Sequence, residues 1–116
     1  MIKTEIDILF SGDKLSIKDL KKKLKVPIKT LVEYDEIAKL GRYKNKPSPY
    51  GLGVLTVDNT KLGKILSVLV NNFKVLQESG VDRIFLSVKL GNKNFFLSFD
   101  DLIKLTMLNA DIEVWK

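Results

Sequence analysis

Lys18, Lys21, Lys22 and Lys25 fall at i, i+3, i+4 and i+7, a spacing that gathers side chains on one side of a helix. Two readings fit such a stripe. It is a solvated face that keeps the chain soluble, or it is a cationic surface for an anionic partner. Repulsion between like charges at this spacing weakens a short helix by about 0.2–0.5 kcal/mol per pair, a cost that solubility alone can justify. Further along, the loop Gly41 to Tyr50 interleaves Arg42, Lys44 and Lys46 with Tyr43 and Tyr50. Cations beside aromatic rings suit phosphate neutralisation with base stacking. They suit protein recognition equally, because Tyr and Arg are favoured interface anchors. An ordinary loop whose rings pack on the edge of the core is the third reading. Residues 18 to 46 hold ten basic groups and four acidic ones, so this stretch accounts for the whole net charge of +6.

Catalytic constellations are scarce. The chain has no His and no Cys. It therefore has no disulfide, no thiolate nucleophile or thiolate metal site, and no imidazole base or ligand. Ser and Lys are plentiful, but no spacing singles out a pair of the kind that works as nucleophile and base. Asp100 and Asp101 follow Ser98 and read as first-turn acids favoured by the helix dipole rather than as a cation site. Glu33 and Asp35 flank Tyr34, with Glu36 next. Strand alternation puts the first two on one face, enough for a weak divalent site or for pairing with nearby lysines. Gly51-Leu52-Gly53 and Gly63 match no phosphate-binding pattern. The expectation is a protein without cofactor or metal that is not an enzyme.

The elements that position these residues follow from periodicity. Thr4, Ile6, Ile8 and Phe10 alternate with Glu5, Asp7 and Leu9 as a half-buried strand does, and Ser11-Gly12-Asp13 is turn chemistry that ends it. Ser16, with Asp19 three residues on, opens a short helix whose apolar stripe is Ile17, Leu20 and Leu24; Pro27 ends it. A strand is expected at Thr30 to Tyr34, one helical turn at Asp35 to Leu40, an exposed loop at Gly41 to Pro49, and a strand at Leu52 to Val57. Leu62, Ile65, Leu66, Leu69, Phe73 and Leu76 then hold the 3.6-residue period of a helix from about Thr60 to Ser79, with Gly80 as its left-handed cap. Asn71 and Asn72 are poor interior helix formers, and one of them must face away from the core. Ile84 to Leu90 and Phe95 to Phe99 read as a β-hairpin across Gly91 to Asn94. Ser98 and Asp101 cap a helix carrying Leu102, Leu105 and Leu108, and Ile112 to Trp115 is a closing strand with Trp115 packed at the sheet edge. The order β-α-β-β-α-β-β-α-β predicts an α+β fold with helices on one face of a mainly antiparallel sheet.

A chain of 116 residues, 45% hydrophobic and 29% charged, is one ordinary domain, and this composition argues against disorder. Glu5 and Asp7 interrupt the apolar N-terminal stretch, so it does not read as a signal peptide. The run Leu62 to Leu76 is broken by Lys64, Asn71, Asn72 and Lys74, too polar to span a bilayer. A cytoplasmic protein with no membrane contact is expected.

The ordering of these pieces resembles a family of short, uncharacterised bacterial α+β domains of unknown function. Phe10-Ser11-Gly12-Asp13, Leu20 to Leu24, Pro27 with Thr30, and Leu97-Ser98-Phe99-Asp100-Asp101-Leu102 carry the likeness. In the middle, Tyr50-Gly51-Leu52-Gly53 departs from that family's glycine-rich stretch leading to a tryptophan. The resemblance implies a cytoplasmic, non-enzymatic protein, and by analogy of size and architecture an immunity-type inhibitor that neutralises a toxin by direct contact. The partner surface expected from the residues is Lys18, Lys21, Lys22, Lys25, Arg42, Tyr43, Lys44 and Lys46. The alternative is an RNA- or DNA-binding module using the same basic segment, and the terminal strands leave room for a homodimer through edge pairing.

Overall fold

The computed structural model describes residues 4–37, 44–91 and 95–115. Its first strand, β1 (Glu5–Asp13), buries Ile6, Ile8 and Phe10 on one face and turns Asp7, Leu9 and Ser11 to the other. Ser11-Gly12-Asp13, expected to end this strand, instead extends it. These residues pair with Leu52, Gly51 and Tyr50 of β3 (Tyr50–Val57). The reason is a close approach of backbones. A Cβ on Gly12 would lie 1.9 Å from the Gly80 carbonyl oxygen, and one on Gly51 would lie 2.0 Å from that of Leu15. Both glycines let chains touch here rather than turn.

Ser16 caps α1 (Ile17–Leu24), its Oγ accepting the Asp19 N–H at 3.3 Å, and Ile17, Leu20 and Leu24 are buried as the stripe predicts. The helix stops before Pro27. Lys25 takes a left-handed conformation (φ 57°) and its N–H closes on the Lys21 carbonyl. β2 (Lys29–Val32) then pairs antiparallel with β3, with an irregularity in register between Thr30 and Val32.

The helix expected over 60–79 is two helices. A 3-10 turn (Asn59–Lys61) leads into α2 (Leu62–Asn71), and α3 (Phe73–Glu78) follows. The break is at Asn72, whose Nδ2 donates to the Val68 carbonyl at 2.8 Å, a side-chain bond that competes with the helix ladder. Asn71 is the exposed member of the pair. Leu62, Leu66, Leu69 and Leu76 still face the core, and Gly80 (φ 98°) ends α3 as a left-handed residue.

β4 (Arg83–Lys89) buries Ile84, Leu86 and Val88 and pairs antiparallel with β1. The expected return strand at 95–99 does not form. Residues 95–98 are irregular, Ser98 Oγ accepts the Asp101 N–H at 3.0 Å, and Phe99 already belongs to α4 (Phe99–Met107); positions 92–94 lie outside the described residues. The free edge of β4 is taken instead by β5 (Asp111–Trp115), which runs parallel to it, Phe85 to Lys89 matching Asp111 to Trp115 in order.

The sheet order is β2-β3-β1-β4-β5, with three antiparallel pairings and one parallel. The fold is α+β as expected, but among the described residues the order is β-α-β-β-α-α-β-α-β. The helices bury one sheet face. Each fully buried Leu, Ile or Phe in between contributes about 1.5–3 kcal/mol of transfer free energy.

Candidate interaction surfaces

The basic end is organised by an acid. Glu33 is 7% exposed, and its carboxylate accepts the N–H groups of Ile17 (2.9 Å), Lys18 (3.0 Å) and Tyr34 (3.2 Å). A carboxylate from beyond β2 thus satisfies donors that the first turn of α1 leaves open and complements the positive end of its dipole. Glu36 pairs with Lys18 at 2.6 Å. That hydrogen bond, then the Glu36 charge, with a smaller pull from Glu33, holds the Lys18 ammonium above its ordinary value. The Glu36 carbonyl accepts the N–H of buried Ser48, and Ile37 bridges to Pro47, so the loop base is tied to the start of α1.

These contacts place the expected site residues. Lys21 and Lys22 are exposed on the last turn of α1, where the helix dipole favours cations. Lys18 is partly neutralised by Glu36, and Lys25 leaves the helical stripe because of its left-handed backbone. Lys44 and Lys46 are exposed on the loop; Arg42 and Tyr43 lie outside the described residues, as do positions 38–40 of the helical turn expected at 35–40. At its start, that segment holds a turn and the Ile37 bridge instead. Glu33 and Asp35 do not share a strand face. β2 ends at Val32, Glu33 turns inward, and Asp35 is exposed with φ 67°. Among the described residues no group of three acids is placed to hold a metal ion.

The opposite end of the sheet carries a surface that charge and motif reading missed. Ten large hydrophobic side chains stand exposed among the described residues, and eight belong to the last part of the chain: Phe96, Phe99, Leu102, Ile103, Met107, Ile112, Val114 and Trp115. Phe96 and Phe99 are the extremes, at 80% and 78%. Of the three leucines expected on this helix, Leu105 and Leu108 are buried and Leu102 is 43% exposed. The signal was present in α4. Leu105 and Leu108 lie on one side of the helix and Phe99, Ile103 and Met107 on the other, so it has two apolar faces where a surface helix has one. The first packs toward α2, where Lys104 pairs with Asp100 (2.8 Å) and Gly63 admits Asp101 to within 3.3 Å of where a Cβ would stand. The second has no cover among the described residues. Large apolar side chains gathered on an uncovered helix face mark interaction sites on monomers.

On β5, Trp115 lies under Lys89 (5.2 Å to the ring centroid) and donates its indole N–H to Ser87 at 3.1 Å, while Asp111 pairs with Arg83 at 2.9 Å. These define the sheet face away from the helices. A pocket of about 170 Å³ lies where α3, β4 and the end of α4 meet, lined in part by Phe73, Leu76, Ile84 and Leu108. Its charged groups are engaged elsewhere, Asp82 accepting the Asp13 N–H and Arg83 pairing with Asp111. The described residues include no helix long and apolar enough to cross a membrane. No family model, no curated protein and no solved structure matches this chain, so the resemblance in element order brings no residue roles with it.

Proposed function

We propose that this protein acts without catalysis, by stoichiometric contact with another protein, as an immunity-type inhibitor that neutralises a cognate toxin or similar partner. The observation that carries this reading is the uncovered apolar face of α4 together with β5. Apart from Trp115, which lies on the other face of the sheet, its exposed side chains offer on the order of several hundred Å² toward the about 800 Å² that one partner buries in an interface of standard size. Phe96, Phe99 and Met107 supply rotamer-poor or adaptable anchors of the kind that dominate binding energy.

A second reading, nucleic-acid binding through residues 18–46, is favoured by Lys21, Lys22 and Lys23, which are exposed and without an acidic partner among the described residues. Capture from the native host at moderate salt, before and after nuclease treatment, separates the two. The inhibitor reading expects one protein, retained in equal molar amount after nuclease. Loss of all captured material on nuclease treatment, with affinity falling steeply in salt, overturns it in favour of the second.

A further inference from the structure

We infer that the outer edge of β5 accepts an extended segment of the partner as a sixth strand, one that alternates cationic with apolar side chains. This rests on the protein-binding reading above and names the chemistry of what binds. The Trp115 carbonyl accepts the Leu90 N–H at 2.8 Å, so the main-chain groups of Trp115 face β4. In a parallel ladder the alternation then directs the N–H and C=O of Ile112 and Val114 outward. No described strand pairs with them.

The other edge of the sheet is blunted in the ways natural proteins use. β2 is four residues long, follows Pro27, carries Lys29 and has an irregular register. β5 has no Pro, no Lys and an unbroken register over all five residues. It is a template left open.

Side-chain chemistry selects the occupant. Ile112 and Val114 match buried Leu86 and Val88, so they lie on the helix side, which asks for apolar neighbours. Asp111, Glu113 and Trp115 lie on the other side. Asp111 is paired with Arg83, but Glu113 is exposed with no ion-pair partner among the described residues, and Trp115 already receives one ammonium group on its ring. Lys or Arg on an added strand meets both. A second copy of this chain fits poorly. In the antiparallel register that overlaps five residues, Glu113 would stand opposite Glu113, a like-charge pair.

Trp115 is the only tryptophan of the chain and sits on the strand in question, so its fluorescence reports occupancy of this edge. The test titrates the full chain with two short synthetic peptides, one alternating Lys with Val and one alternating Glu with Val. The expected result is a saturable Trp115 shift about tenfold tighter for the Lys peptide, with amide shifts at Ile112 and Val114. Glu113→Lys, at an exposed position, should invert that preference, and Val114→Pro should abolish both responses. No binding, equal binding of the two peptides, or an unchanged preference in Glu113→Lys overturns the inference. So does a concentration-dependent Trp115 shift of the chain alone with formation of dimers, which makes a second copy the occupant. Capture of a partner that both variants leave intact also sinks this edge while the inhibitor reading stands; peptide binding at the edge with only nucleic acid captured does the reverse.

Discussion

The two ends of this sheet are finished in opposite ways. At the β2 end, charge is abundant and largely accounted for. Glu33 closes the first turn of α1, Glu36 holds Lys18, and the remaining lysines of α1 sit in its last turn where the dipole welcomes them. At the β5 end, charges of both signs are mixed, and apolar side chains and an open strand edge face water. The contrast separates two kinds of exposure. Ammonium groups are stable in water and need no partner, whereas an apolar surface is the one whose burial releases free energy. The conspicuous feature of the sequence, its lysine stripe, is thus the weaker pointer to function.

Substitutions at the two ends should divide along the same line. The largest effect on the fold is expected from Glu33→Ala. It strands the buried Ile17 N–H and the part-buried Lys18 N–H at the start of α1, and should cost about 2–4 kcal/mol in denaturant unfolding, given about 1–3 kcal/mol for each buried group left unsatisfied. A loss below about 0.5 kcal/mol, the range of neutral surface changes, would mean that the basic end is not organised around this carboxylate. At the other end the sign of the division reverses. Phe99→Ser with Met107→Ser should leave unfolding free energy within about 0.5 kcal/mol while weakening partner capture tenfold or more, whereas Lys21→Ser with Lys22→Ser should change capture by less than about threefold. If the lysine pair proves the more damaging, the contact surface lies on α1.

The smallest effect concerns Lys18. Because the folded state raises its pKa, the Lys18–Glu36 contact contributes fully below the ordinary lysine value of 10.5 and is lost as pH rises through the higher folded value. Glu36→Gln should therefore lower the Lys18 titration midpoint followed by NMR, lower stability slightly at pH below 10.5, and leave it unchanged once Lys18 is deprotonated at higher pH. An unshifted midpoint would show that Glu36 is not its cause.

Much of the fold was legible because its signals are local. The alternation of Ile6, Ile8 and Phe10, the period of Leu62, Leu66, Leu69 and Leu76, and the caps at Ser16 and Ser98 each rest on neighbours within a few residues. The candidate surface was less legible. α4 carried two apolar faces in its sequence, but which one the core takes depends on where α2 lies.

What the sequence determined by itself, then, was the identity and span of most elements, and the absence of imidazole and thiol chemistry, since composition and periodicity need no knowledge of distant contacts. Tertiary structure alone decided that β5 rather than residues 95–99 sits beside β4, that Glu33 caps a helix sixteen residues upstream, and that Gly12 and Gly51 join backbones instead of turning them. Each of those depends on two segments remote in the chain meeting at hydrogen-bond or van der Waals distance, and a one-dimensional pattern holds no record of such a meeting.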